Sequence, residues 1–312
     1  MKLMKVATIV VLICVLLVSM TGCDALDYRD AIDLYNAGQY DEAADLFFEL
    51  GDFEDSEALF TRSHYWAAVA RMEAGNFSEA LPRFIKLGSF EDSAQRVTEC
   101  TYQLAIAAFD VGNFADATNY FAELADYRQT REYLRQINWQ KLYDAISATG
   151  YNNGSGVILE KEVEGKRFSI SAMHHDHSTQ ELVLSVSFGE NDAFFYFDDL
   201  NITLTRDSTI AAFTAGSGFG MGFGDGQIGS TQSASGRLDI TTCTPQTTLV
   251  VEDFTKHVED NQGNLIDSKD PAGSLMNDVM AKNMSNLMTV IPMLLQETGI
   301  ELTLRDIGFN AM

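Results

Sequence analysis

Three of the five histidines in this chain fall within four residues, His174-His175-Asp176-His177. Imidazole and carboxylate are good ligands for a divalent metal. In an extended segment successive side chains alternate in direction. That would put His175 and His177 on one face, with His174 and Asp176 on the other. A metal centre would still need ligands from elsewhere, and His257 is the only further histidine in this half of the chain. The cluster runs into Ser178-Thr179-Gln180, so an exposed turn is the simpler account. His175 and His177 are therefore the candidates for a metal, while the reading as a whole expects no metal and no other cofactor.

A second chemical possibility is the run Gly216-Ser217-Gly218-Phe219-Gly220-Met221-Gly222-Phe223-Gly224-Asp225-Gly226. A phosphate cradle needs a strand before the glycines, a helix after them and usually a lysine. The helix signal and the lysine are missing here. Phe and Met spaced among glycines suit a mobile apolar lip over a ligand, and the alternative is a flexible loop or a glycine-rich edge strand. The pairs Asp198-Asp199, Glu252-Asp253 and Glu259-Asp260 offer oxygen ligands, but none has the spacing of a calcium loop. Met276, Met280, Met284 and Met288 recur every fourth residue, a stripe that suits a binding groove and more often means core packing. No Gly-x-Ser-x-Gly elbow accompanies the many serines and aspartates. No catalytic residue is assigned, and the chain is not expected to be an enzyme.

Residues 23–312 carry 19 basic and 45 acidic side chains, a net charge of −26. The acid is even: 24–149 and 150–312 each hold a net −13. Such a chain has no basic patch with which to release counterions from phosphates, so nucleic acid is excluded as a partner. High charge beside a membrane also serves solubility. The length is that of about two domains.

The first residues suggest where the chain resides. Lys2 and Lys5 precede an apolar run from Val6 to Val18, followed by Ser19-Met20-Thr21-Gly22-Cys23. A charged start, a short apolar run and a small-residue site describe a secretory signal, and the run is too short to span a bilayer core. Ending in Gly-Cys, the segment resembles the lipobox of bacterial lipoproteins. The resemblance implies a diacylglycerol on the Cys23 thiol and cleavage just before it. Residues 1–22 would be the signal peptide and 23–25 the lipid-anchored N-terminus. The protein would sit on the extracytoplasmic face of the cell membrane, with acyl chains such as palmitate supplying the anchor. Cys14 would leave with the signal, and Cys100 and Cys243 read as two buried free thiols.

From 26 to 149 the chain repeats every 37 residues. Gly38-Gln39-Tyr40-Asp41-Glu42-Ala43 returns as Gly75-Asn76-Phe77-Ser78-Glu79-Ala80 and as Gly112-Asn113-Phe114-Ala115-Asp116-Ala117. Tyr28, Tyr65 and Tyr102 keep the same step, and Trp139 continues it. So do Ala31, Ala68 and Ala105, and Phe47, Phe84 and Phe121. Leu50-Gly51-Asp52-Phe53-Glu54-Asp55-Ser56 returns as Leu87-Gly88-Ser89-Phe90-Glu91-Asp92-Ser93 and drifts to Leu124-Ala125-Asp126-Tyr127-Arg128-Gln129-Thr130. Self-similarity at such a period means stacked supersecondary units. The turn glycines Gly38, Gly75 and Gly112 end one helix in a left-handed conformation, and Asp55-Ser56 and Asp92-Ser93 offer N-caps to the next long helix. Helices are predicted near 26–37, 41–50, 55–74, 78–88, 92–111, 115–125 and 129–149.

The Gly-x-aromatic-x-acid-Ala turn with its downstream Phe resembles the tetratricopeptide repeat family, whose usual period of ~34 residues is exceeded here in the Gly-aromatic-Glu-Asp-Ser linker. The resemblance implies helix–turn–helix units that bind a protein or peptide on one face. A spacer that lifts the second domain from the membrane is the competing account.

At Gly150 the texture changes. Tyr151-Asn152-Asn153-Gly154-Ser155-Gly156 is turn-rich, and from there apolar residues alternate, as in Leu182, Leu184, Val186 and Phe188. Strands are predicted over 157–163, 167–171, 181–188, 193–197, 201–205, 237–242, 247–251 and 300–306. A helix is predicted over 272–298 with a kink at Pro292. Residues 150–312 therefore read as an α+β domain with an antiparallel sheet and one long C-terminal helix, following the helical repeat array over 26–149. The functional expectation is a membrane-anchored scaffold or binding module that works through its repeats. The alternative is a solute- or glycan-binding lipoprotein with its site in the second domain.

Overall fold

The computed structural model describes residues 24–149, 158–175, 179–191, 194–223, 226–259, 265–268 and 274–310. Cys23 and the segment before it lie outside these residues, as do Asp176 and His177. Among the described residues, no helix is long and apolar enough to cross a membrane. Two compact units divide between Thr130 and Arg131.

The first unit is an array of alternating short and long helices: α1 (24–36), α2 (Tyr40–Leu50), α3 (Ser56–Glu73), α4 (Phe77–Leu87), α5 (Ser93–Asp110) and α6 (Phe114–Ala122). Each repeat buries the same positions. Ala31, Ala68 and Ala105, Ala43, Ala80 and Ala117, and Phe47, Phe84 and Phe121 are all fully buried. Each such phenylalanine stabilises the array by roughly 2–3 kcal/mol, and alanine opposite lets the helices approach. Gly38, Gly75 and Gly112 hold φ near +80°, +79° and +75°. Beyond each, the next amide bonds back across the helix end, Gln39 to Leu34, Asn76 to Arg71 and Asn113 to Ala108. A residue with a Cβ is strained in that conformation.

The predicted N-caps take a different form. Asp55 and Asp92 stand at the N-cap positions of α3 and α5 but make no side-chain cap hydrogen bond. Their carboxylates accept instead from the hydroxyls of Tyr28 in α1 and Tyr65 in α3. A charged, directed phenol bond outweighs a cap at a helix end already bonded through Ser56 N–H to Phe53 and Ser93 N–H to Phe90.

The second unit begins with α7 (Thr130–Ala148) and continues as β1 (Ile158–Val163), β2 (Lys166–His175), β3 (Thr179–Asn191), β4 (Phe194–Thr205), β5 (Ile210–Phe223), β6 (Gly226–Asp239), β7 (Val251–Glu259), β8 (Leu265–Ser268) and α8 (Ser274–Glu297). The strands form one antiparallel sheet in strict sequence order. Alternation puts Phe168, Ile170 and Ala172, Leu182, Leu184 and Val186, and Leu200, Ile202 and Leu204 on one buried face. Met280, Met284, Leu287 and Ile291 of α8 pack there, as do Trp139, Leu142, Tyr143 and Ile146 of α7. Met280, Met284 and Met288 of the methionine stripe are thus part of the core or packed against it. The helix over 129–149, read from sequence as the last of the repeats, shares its core with the sheet. Trp139 keeps the repeat spacing but stacks on Tyr143, 5.3 Å between ring centres.

Several strand expectations change. The stretches 194–197 and 201–205 are one strand, β4. The strand expected over 237–242 is the end of β6 followed by a 3-10 turn at Ile240–Thr242, and that expected over 247–251 is no strand before Val251, where β7 begins. Residues 300–306 form no strand; Leu304–Ile307 is a 3-10 turn, fixed by Asp306, whose carboxylate accepts from both the amide and the hydroxyl of Thr303. The glycine run is no loop: Gly216–Phe223 belongs to β5, paired with β4 on one side and β6 on the other, and only 224–225 fall outside the described residues. A Cβ at Gly216 would meet the Asp199 carboxylate of β4 at 2.2 Å, so a larger residue there would require that side chain to shift. Cys100 and Cys243 are buried free thiols. Burial pushes their pKa values up, to about 11 and about 12, so both stay protonated and unreactive near neutrality.

Candidate functional site

Of the histidine cluster, His174 and His175 are among the described residues, while Asp176 and His177 lie outside them. His174 and His175 end β2, paired with Gln180 and Thr179. His174 is exposed and lies 5.8 Å from the Tyr143 ring. Among the described residues no three His, Cys, Asp or Glu side chains come together as metal ligands. Two other places hold functional groups, one in each unit.

In the first unit, a groove of about 410 Å3 opens between α3 and α4, lined by Phe60, Thr61, His64, Arg83, Lys86 and Leu87. Two apolar side chains of the short helices are exposed, and the first of them adjoins the groove through Phe60. Phe48 of α2 is 71% exposed and Ile85 of α4 60% exposed. These two occupy the same position in successive repeats. Phe48 lies 5.6 Å from Phe60, and Phe60 meets His64 edge-on at 4.5 Å. The charge here is opposite to that of the chain. Arg83 bonds Asp41 at 2.7 Å, and Arg71 bonds the same carboxylate at 2.6 Å. Burial raises the Asp41 carboxyl, but the two guanidinium bonds outweigh it and hold its pKa below the usual range. Lys86 is exposed and has no ion-pair partner among the described residues. Burial, then Lys86 and Arg83, hold the His64 pKa down.

In the second unit, one rung of the sheet breaks the apolar face. Register puts Val163, Lys166, Phe188, Asp198, Ser217 and Gln232 side by side across β1 to β6. The next rung, Phe168, Val186, Leu200, Ala215 and Ala234, is wholly apolar. Asn283 of α8 lies over the polar rung, fully buried. Its amide donates to Asp198 Oδ1 at 2.6 Å and its carbonyl accepts from Lys166 Nζ at 2.7 Å. Lys166 Nζ stands 3.9 Å from Asp198 Oδ2. Asn283 thus bridges a buried ion pair, satisfying groups whose burial would otherwise be costly. A cavity of about 450 Å3 adjoins them, lined by Val163, Glu164, Lys166, Phe168, Phe188, Asp198, Lys282, Asn286, Thr289 and Val290. That size is typical of small-molecule sites. Burial lowers the Lys166 pKa, opposed by Asp198 and assisted by Lys282.

Sequence reasoning missed both places. For the second a signal existed. Lys166 is in phase with Phe168, Ile170 and Ala172, and Asp198 with Leu200, Ile202 and Leu204. A charge on the apolar phase of a strand faces the core. For the groove the signal was weaker, an exposed Phe48 and Ile85 repeating outside the shared buried positions. Comparison with family models, with curated proteins and with solved structures finds no match for this chain.

Proposed function

We propose that this chain is a lipoprotein held by lipid on Cys23 at the extracytoplasmic face of a bacterial cell membrane, where its helical array binds a protein or peptide. The reading of the array as tetratricopeptide-like units supports this, together with the Lys2, Lys5, Val6–Val18 and Gly22-Cys23 segment. The observation that carries the binding role is the α3–α4 groove. Exposed apolar side chains rarely cluster on a surface without a partner. Here the exposed Phe48 lies against the half-buried Phe60 of the groove, and the groove also holds Lys86, which has no ion-pair partner among the described residues, in a chain of net charge −24. The fitting occupant is an amphipathic segment of another protein, its apolar side chains against Phe48 and Phe60 and an acidic one on Lys86.

The test places a photoreactive residue at position 48, beside the groove, or at the similarly exposed Val111 as control, in the chain expressed in its own membranes. A single adduct from 48 that disappears with Lys86→Glu supports the reading. Equal labelling from 48 and 111 refutes it. Metabolic labelling with palmitate, abolished by Cys23→Ser, tests the anchor separately.

A further inference from the structure

The cavity beside Asn283 belongs to the second unit and is not used by the array. Its lining is divided. Val163, Phe168, Phe188 and Val290 supply an apolar wall, while Lys166, Lys282 and Asn286 supply donors; the Thr289 hydroxyl is spent on the Ser285 carbonyl, and one N–H of Asn286 reaches the Asn283 carbonyl at 3.5 Å, leaving its second. The charges are unevenly spent. Lys166 is committed to Asn283 and Asp198 inside the fold. Glu164 stands at the rim, on the two-residue turn between β1 and β2, with φ +53°. Lys282, one residue from Asn283 on α8, is exposed and has no ion-pair partner among the described residues. One ammonium group therefore faces the cavity without a counter-charge bonded to it.

We propose that this cavity binds a small monocarboxylic acid with an apolar body, the carboxylate on Lys282 and Asn286 and the body against Phe168, Phe188 and Val290. The two cations and two anions of the lining cancel in sum, but they are not equally disposed. Lys166 and Asp198 are joined through Asn283, and Glu164 stands on the β1–β2 turn, so the ligand's charge is set at Lys282 on α8. A carboxylate supplies the negative charge that Lys282 lacks. A phosphate monoester would bring nearly two, close to Asp198 and Glu164, where like charges repel. A neutral ligand would gain no charged contact with Lys282, and an amine would be repelled by it. The apolar wall excludes a fully polar ligand, since burying polar groups without partners is unfavourable.

The experiment uses the full chain in zwitterionic lipid nanodiscs, with empty nanodiscs as blank. Binding of 3-phenylpropionate, 3-phenylpropanol and 3-phenylpropylamine is measured by isothermal titration calorimetry at neutral pH. The acid should bind saturably and at least ~10-fold tighter than the alcohol or the amine, the discrimination of one well-placed charge contact. Lys282→Gln, on an exposed helix position, should abolish that preference without changing the thermal midpoint. Glu164→Gln should tighten the acid severalfold. No saturable binding of the acid, equal binding of the three probes, an unaltered preference in Lys282→Gln, or weaker acid binding in Glu164→Gln would each overturn the proposal.

Discussion

Tyr65 donates its phenolic hydrogen to Asp92 at 2.5 Å, joining α3 to the start of α5 across 27 residues. The same step joins Tyr28 to Asp55 and Tyr102 to Gln129. Each repeat is thereby tied to the next by one phenol at one position. Around the second tie, Arg96 bonds Asp92 at 2.6 Å and lies over the Tyr65 and Phe84 rings.

Because the acceptor is a carboxylate at Asp92 and an amide at Gln129, the ties differ in strength. Hydrogen bonds to charged groups are worth more than neutral ones, so Tyr65→Phe should cost about 1.5–2 kcal/mol and Tyr102→Phe about 1 kcal/mol. Trp66 is the one tryptophan before residue 130 and Trp139 the one after it. Urea unfolding followed by Trp66 fluorescence in a Trp139→Phe background reports the array alone. Equal losses in the two variants would contradict the charge argument.

The linker turn carries its own comparison. Gly51 and Gly88 have φ of +59° and +61°, and the third copy places Ala125 at +47°. An alanine held there is strained by roughly 1 kcal/mol. Ala125→Gly should raise the array's stability by about that amount less the added chain entropy, and Gly88→Ala should lower it. Space does not confound the second change, since nothing lies within 4 Å of a Cβ at Gly88.

In the second unit, Asp198→Ala should destabilise by about 3 kcal/mol or more, because it strands the Lys166 ammonium and one Asn283 donor in a buried setting. Asp198→Leu combined with Lys166→Met should recover much of the loss. Unfolding followed by Trp139 in a Trp66→Phe background measures both. A double variant as unstable as the single one would mean that packing, not charge, holds this rung.

Acid should weaken the array in two windows. His64 has its pKa lowered in the folded state by burial and neighbouring cations. The unfolded chain therefore takes up a proton first as pH falls below about 6.5, and stability declines from there until the folded pKa is reached. Asp92, held below its ordinary value by the Arg96 bond, contributes stability that is present above about pH 4 and is lost as pH falls through its lower folded value. His64→Gln should remove the first decline and leave the second. Stability profiles that superimpose between pH 5 and 7 would exclude the His64 assignment.

The array was legible because its determinants are local. A glycine ends a helix, an Ala and a Phe recur on one face, and the period repeats both. What was not legible depended on partners distant in sequence. Trp139 keeps the repeat spacing, so nothing near it reveals that it shares a core with the sheet and α8 rather than with another repeat. Gly216 and its neighbours lack strand propensity, and pairing with β4 and β6 decides their conformation. Ile300, Leu302 and Leu304 alternate like a strand, yet Thr303 and Asp306 close a turn on them. The polar rung was visible only as a fault in an otherwise apolar phase. The pairing of Lys166 with Asp198 through Asn283 needed the register of three strands and a helix from the far end of the chain.

The position of α7 also sets an order of events. Trp139, Leu142 and Ile146 are made before any strand, while Met284, Leu295 and Phe309 of the same core are made after all of them. Each hairpin of the sheet can zip as it appears, since every strand pairs with its immediate successor. The core cannot close until α8 arrives. During synthesis, therefore, the apolar side of α7 waits uncovered while the sheet and α8 are produced. This unit can mature only after α8 is made, whereas the array ahead of it can fold as it emerges.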